Sequence, residues 1–313
     1  MKHNVRVTLL MLSLFVLAQL MGLLVVNQYI DSAQLKEGTV SFEKLPFNVE
    51  RPEVNTTTSF TYIFAAIILG TLLLLLFIRL NLGTFWKFWF FLSMVYVLTV
   101  SFSVFLKIPQ GNYIAASIAA ALAAWRLLKP NFYVHNFTEV FIYGGLAAIV
   151  VPLLNIISVI ALLVLISIYD MYAVWKSKHM IKLARFTAKE KVFAGMLVQY
   201  REKGKKPVAH HKMDYAAAKE IKSEKAGVKH AILGGGDIGF PLIFAGVVMK
   251  DLMLKHSVAI AFLETMFVVA GSTAALAYLF WKGEKGKFYP AMPYLSIGCL
   301  VGWLVVVIIE SLI

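Results

Sequence analysis

Gly234-Gly235-Gly236-Asp237-Ile238-Gly239-Phe240 lies within an otherwise apolar run from Ala231 to Met249. An acid centred in a spanning helix costs about 2.5–3.5 kcal/mol on insertion scales, so an intramembrane carboxyl group is a functional candidate by default. A second acid has the same setting. Asp170, preceded by Tyr169, lies near the end of the run Val151 to Trp175, which holds no other charge until Lys176. Two lone acids in adjacent spans point to a pair.

The rest of the chain fixes the class. Of its 313 residues 60% are hydrophobic and 15% charged, against about 25% charged in a soluble domain. Mean hydropathy is +0.77. Nine runs have membrane-spanning length, at residues 7–29, 60–79, 85–106, 112–128, 137–151, 154–175, 231–249, 257–281 and 290–312. The expected fold is an all-α polytopic membrane protein of nine transmembrane helices. Pro152 leaves almost no loop between the fifth and sixth, and Glu139 stands near the start of the fifth. The first run is too long for a signal peptide and lacks a small-residue cleavage site.

Net charge is +13, a balance that could suggest nucleic acid, but its distribution is topological. With the amino terminus cytoplasmic, the inner segments hold Lys2, Arg6, Arg79, Lys87, Arg126, Lys129, the basic stretch from Lys176 to Lys229, and Lys282, Lys285 and Lys287. The outer segments hold only Lys36, Lys44, Arg51, Lys107, Lys250 and Lys255. The positive-inside rule then places the amino terminus in the cytoplasm and the carboxyl terminus outside. The predicted organisation is an amino-terminal six-helix portion (1–175), a basic cytoplasmic loop (176–230) and a carboxyl-terminal three-helix portion (231–313). Within the loop Phe193, Met196, Leu197 and Tyr200 follow i, i+3, i+4, i+7 spacing, which fits a short amphipathic helix on the bilayer surface and equally a solvated basic linker. The partners expected are the lipid bilayer and membrane-embedded substrates, with no nucleic acid.

Asp170 precedes Lys176 by six residues on a helix entering the cytoplasm, and Asp237 follows Lys229 by eight on a helix leaving it. At 1.5 Å per residue they lie roughly 9 and 12 Å inside the flanking charges, close enough in depth to meet. Two carboxyl groups held together in a low-dielectric site do not both ionise, so the pair can serve as base and acid toward one water and a peptide carbonyl. Gly234, Gly235 and Gly236 carry no side chain to obstruct a substrate strand or a facing helix. The last span opens Tyr289-Pro290-Ala291-Met292-Pro293, just beyond Lys287 and so at similar depth. Its two prolines leave backbone groups unpaired, which a membrane tolerates only against protein or a water-filled cavity.

Tyr169-Asp170, Gly234-Gly235-Gly236-Asp237 and Pro290-Ala291-Met292-Pro293 together resemble the presenilin and signal peptide peptidase family of intramembrane aspartyl proteases, through its YD, GxGD and PAL motifs. Their order and the nine-span layout extend the resemblance over essentially the whole chain. It implies a presenilin-like fold, Asp170 and Asp237 as the catalytic pair, and Pro290 and Ala291 as shapers of the site. Tyr169, Gly234, Gly235, Gly236, Met292 and Pro293 would join them. Met292 stands where the family has leucine, a substitution of similar volume. The orientation resembles presenilin rather than signal peptide peptidase, and the compact loops resemble a prokaryotic, archaeal homologue in a cell membrane. No cofactor or catalytic metal is expected, since the histidines show no H-E-x-x-H spacing and Cys299 is the single cysteine.

The resemblance implies an aspartic endopeptidase acting on transmembrane segments or signal peptides. Two rivals remain: a prepilin-peptidase-like GxGD protease, disfavoured by the span count and the Pro290 motif, and a transporter or channel using the acids as a relay. Elsewhere, Gly298 and Gly302 predict a close helix contact, Glu264 an interhelical hydrogen bond, and Glu310 a position near the external surface. Asn55 and Asn136 match glycosylation acceptors, the second fortuitously.

Overall fold

A computed structural model describes residues 5–31, 34–35, 39–51, 56–177, 193–201, 228–283 and 289–312. Most of the basic loop lies outside the described residues. The described residues form nine α-helices: α1 Val5–Gln28, α2 Thr56–Arg79, α3 Gly83–Ser103, α4 Gly111–Leu128, α5 Phe132–Val150, α6 Ile156–Tyr172, α7 Gly235–Leu252, α8 Val258–Lys282 and α9 Met292–Leu312. All but α7 are long and apolar enough to cross a membrane. The exception has 18 residues and carries Asp237, Lys250 and Asp251.

Burial explains how α7 keeps those charges. It is the central helix, with α1, α5, α6, α8 and α9 packed around it, and Ile238, Leu242, Phe244, Val247 and Met249 are almost wholly enclosed. Protein, not lipid, is therefore its solvent. By contrast α2 lies at the periphery against α3 and α6, exposing Leu69, Leu72, Leu73 and Leu76.

Local sequence sets the breaks between helices. Asn131 caps α5 by accepting from the Tyr133 N–H (2.9 Å), and Asn155 caps α6 by accepting from the Ser158 N–H (2.8 Å). Pro152 falls in a 3₁₀ turn, Val151–Leu153, so the expected near-absence of a loop is real. Lys250 Nζ donates there to the Val151 carbonyl (3.3 Å) and to that of Leu154. Its charge lies where carbonyl groups end a helix, a favourable place for a cation.

Four expectations need correction. Gly195–Arg201 is not an amphipathic helix but strand β1, paired antiparallel with β2, Val228–Gly234, with Gly195 opposite Gly234 and Arg201 opposite Val228. The seventh span consequently starts as a strand, and helix begins only at Gly235. Backbone pairing outweighs the helical spacing of four apolar residues, and Met196, Val198 and Tyr200 satisfy a period of two equally well. The fifth helix also begins earlier than expected, at Phe132, where the Asn131 cap starts it. Arg126, assigned to the cytoplasmic charges, is buried at 2% exposure.

The helix contact expected from Gly298 and Gly302 joins α8 to α9. A Cβ on Gly298 would fall 2.5 Å from the Gly271 carbonyl oxygen and 2.7 Å from Ala275 Cβ, and one on Gly302 2.4 Å from the Phe267 carbonyl oxygen. Gly298→Ala should therefore force the two backbones apart and lower the melting temperature, at a cost of about 1–3 kcal/mol. Gly70→Ala in α2, where a Cβ meets nothing within 4 Å, should leave it unchanged or slightly raised. Thermal melts of both variants in one detergent make the comparison.

Candidate active site

Asp237 occupies the first turn of α7, immediately after the end of β2. The three glycines ahead of it differ in their surroundings. A Cβ on Gly234 would fall 3.1 Å from Asp237 Oδ2, and one on Gly235 would fall 3.0 Å from the Tyr143 hydroxyl. Gly236 is exposed, and its Cβ would meet nothing nearer than the Phe240 ring at 3.5 Å. Two glycines thus permit tight packing, and the third leaves one side of the acid open. Pro241 follows four residues later inside the helix and removes the N–H that would bond the Asp237 carbonyl. Gln19 Nε2 from α1 donates to the next carbonyl, that of Ile238, at 3.0 Å.

Asp170 lies near the end of α6, just ahead of a π-helical turn, Ala173–Ser177. Its Oδ2 accepts the backbone N–H of Met292 at 3.1 Å, so the proline motif meets the first acid directly. Helix α9 starts at Met292, leaving Pro290 and Ala291 outside it. Their neighbourhood is less unpaired than the sequence implied: Met292 donates to Asp170, and the Ala291 carbonyl accepts the Leu295 N–H (3.1 Å). One turn further in, the buried hydroxyls of Ser167 and Ser296 share a hydrogen bond of 2.8 Å, fastening α6 to α9. Asp170 and Asp237 are both half-buried and within electrostatic reach of one another. Lys229 to Gly234 rises as strand and not as the helix expected from the spacing of Asp237 and Lys229.

Tyr169 is 46% exposed beside Asp170. Pro290 and Met292 are buried and Ala291 and Pro293 half-buried. The structure thus brings Asp170, Asp237, Gly234, Gly235 and the Pro290 motif to one end of the bundle, while the Tyr169 ring points to the surface.

A buried polar network, which the sequence did not reveal, supports this end. Glu139 of α5 takes the Arg126 guanidinium of α4, the Tyr143 hydroxyl, and the Gly195 N–H of β1 (3.1 Å). Arg126 also donates to Thr138 Oγ1 (2.9 Å) and to the Phe193 carbonyl (2.8 Å). Asn136 binds Leu197 twice, through its N–H (3.0 Å) and its carbonyl (2.9 Å), and His135 Nε2 is 2.7 Å from the Gly195 carbonyl. The Asn136 amide therefore acts as a neighbouring strand would, which excludes it as a glycosylation acceptor. Only the placement of Glu139 within an apolar run hinted at this in advance.

A membrane-spanning bundle that brings two acids from separate helices within electrostatic reach, with a proline-broken helix start bonded to one of them, is the architecture of an intramembrane aspartyl protease. Residues 12–312 match the family model described as signal-peptide peptidase, presenilin aspartyl protease, and the chain belongs to that family. Two solved structures have the same fold. Both are of a presenilin family intramembrane aspartate protease, one in space group C222 (TM-score 0.60, 19% identity, 96% of this chain and 99% of that one) and one in P2 (TM-score 0.58, 20% identity, 96% of each). Among curated proteins no sequence matches.

Removing one side of the Arg126–Glu139 pair leaves the other charge buried and unpaired, at about 3–5 kcal/mol. Glu139→Leu should accordingly lower the melting temperature sharply, and Arg126→Leu comparably. The Arg126→Leu/Glu139→Leu double variant should recover part of that loss, as a double-mutant cycle of thermal melts would show.

Proposed function

We propose that Asp170 and Asp237 are the catalytic pair and that the protein hydrolyses peptide bonds within transmembrane segments of other proteins. The observation carrying this reading is the hydrogen bond from the Met292 N–H to Asp170 Oδ2, because it ties the Pro290 motif to one acid at the end of the bundle where the other acid begins α7. In the reaction, the carboxylate of the pair takes a proton from water as the water oxygen attacks the peptide carbonyl. The protonated partner gives its proton to the carbonyl oxygen. Collapse of the resulting gem-diol breaks the C–N bond, and the nitrogen leaves with a proton from the pair.

A peptide bond inside a helix has its amide groups engaged and must be unwound first. The hairpin offers a place for the unwound segment. The outer edge of β1 is covered by Glu139, Asn136 and His135, whereas β2 leads straight into Asp237, so an extended substrate adds as a third strand along β2. Main-chain pairing of this kind suits substrates chosen by the ease with which their helices open. The Gly236 side gives the scissile bond its approach, and Pro290 and Ala291 form the facing wall. From the distribution of lysine and arginine we read the amino terminus as cytoplasmic.

The test is incubation of purified protein in detergent with a helical membrane peptide, with the products identified by mass spectrometry. Asp170→Asn and Asp237→Asn should each abolish cleavage while melting normally, and the double variant should be no worse, since the two acids act as one unit. An inhibitor that mimics the tetrahedral intermediate should block the wild type, which an ion relay would not explain. Substantial cleavage by either single variant would remove that residue from the pair.

Pro290→Ala should lower cleavage with both acids present, because α9 can then start earlier and withdraw the Met292 N–H from Asp170. Met292→Leu should be nearly silent, since it keeps both the volume and the backbone donor. Rates of the two variants on one peptide, beside their melting temperatures, decide whether the motif acts on the acid or only punctuates the helix.

A further inference from the structure

At the opposite end of α7 lies a second group of polar side chains. It is about 25 Å from Asp237 by the length of the helix, and it stands independently of the proteolytic reading. His256 belongs to the turn between α7 and α8, anchored by its N–H to the Leu252 carbonyl (2.9 Å). Glu264 lies in the second turn of α8, and Glu310 in the last turn of α9. We propose that His256, Glu264 and Glu310 form a binding site for a divalent transition-metal ion of the zinc class.

The spacing favours a metal over a set of ion pairs. His256 Nε2 is 3.4 Å from Glu310 Oε1 and 4.0 Å from Glu264 Oε2, and the three ligand atoms lie within 4.8 Å of one another. A histidine bonded to a carboxylate would close to about 2.7–3.0 Å. Ligand atoms about 2.0–2.1 Å from one tetrahedral ion are instead held about 3.4 Å apart. The burial of Glu264 supplies the independent reason for a ligand. This residue is 9% exposed, and its Oε2, the atom facing His256, is buried with no hydrogen-bond partner. A buried carboxylate oxygen without a hydrogen bond is costly, and a cation at the centre of the three groups removes that cost. The expected hydrogen bond of Glu264 to another helix is thus not what this oxygen makes.

The donor set selects the ion. One imidazole nitrogen and two carboxylate oxygens suit Zn²⁺, Co²⁺ or Mn²⁺, whereas Ca²⁺ and Mg²⁺ require more oxygen ligands. Lys255 Nζ bonds mainly to the other oxygen of Glu310, Oε2 at 3.0 Å, with Oε1 at 3.3 Å. It leaves Oε1 directed at His256 and offsets one of the two negative charges. A metal here would fasten the α7–α8 turn to the end of α9, bracing α7, whose other end holds Asp237, and α9, whose other end holds Met292.

The experiment uses tag-free, chelator-treated protein in detergent, titrated with Co²⁺ and followed by its visible absorption, and with Zn²⁺ followed by calorimetry and thermal melting. Binding should be one to one, Co²⁺ should develop the intense bands of a low-coordinate site, and Zn²⁺ at about 100 times its Kd should raise the melting temperature by about 3 °C or more. His256→Gln and Glu264→Gln should each weaken binding at least about tenfold. Lys255→Met should retain it, Mg²⁺ should produce no shift, and Asp237→Ala should bind as wild type does. Absence of both the Co²⁺ bands and the Zn²⁺-dependent shift in the wild type would overturn the proposal, as would undiminished binding by the His256→Gln/Glu264→Gln variant.

Discussion

The end of the molecule that carries the two acids depends on Glu139. One buried carboxylate holds a guanidinium from α4, a phenol from its own helix, and the Gly195 N–H that opens β1. Without that last bond β1 would have a bare edge where apolar surroundings offer no water to satisfy it. Asn136 extends the same support along the strand. Because β1 sets the register of β2, and β2 runs without a break into Gly234 and α7, the position of Asp237 is inherited from a helix nearly one hundred residues earlier. Tyr143 reinforces this, since its hydroxyl both bonds Glu139 and lies against Gly235.

The hairpin also accounts for the length of α7. A helix of 18 residues rises about 27 Å, marginal for a hydrocarbon core of about 30 Å. Seven strand residues at about 3.3 Å each make up the difference. Starting the helix late places Asp237 in its first turn, where N–H groups have no intrahelical partner and a carboxylate is favoured by the helix dipole. Enclosure by five neighbouring helices then lets Asp237, Lys250 and Asp251 share one short segment.

The sequence was legible where the information is local. Hydropathy alone located the nine helical segments, eight of them among the described residues long and apolar enough to cross a membrane, and the acids stood out because nothing near them explained a charge. The segments that carry the proposed site were likewise visible as Asp170, the glycines before Asp237, and Pro290. What could not be read was pairing between distant segments. Arg126 and Glu139 each resembled an ordinary charge at the end of a span, and only their meeting turns them into a buried clamp. Ser167 and Ser296 looked like small residues in apolar helices, and nothing in either run indicates that the two share a hydrogen bond. The strand at Gly195–Arg201 was ambiguous in principle, since Met196, Val198 and Tyr200 fit one period while Phe193, Met196, Leu197 and Tyr200 fit another. Pro241 was open to view, and its spacing of four from Asp237 could have signalled a loosened first turn.

The two acids are held by different parts of the fold, and this shapes how the pair can align. Asp170 belongs to a seam between α6 and α9, fixed by the Met292 N–H and the Ser167–Ser296 bond. Asp237 belongs to the hairpin and α7, fixed by Gln19, Tyr143 and the Glu139 network. Each set is internally bonded, so relative movement is easier between the sets than within either. Helix breaks lie at both margins: the π-helical turn after Asp170, Pro241 after Asp237, and Pro290 before α9. A chain entering as an extended strand along β2 would touch the second set through its backbone and the first through the Pro290 wall, so binding and alignment of the acids would be one event. On the proposed reading, coupling of that kind would complete the pair of acids only when an unwound peptide lies between its halves.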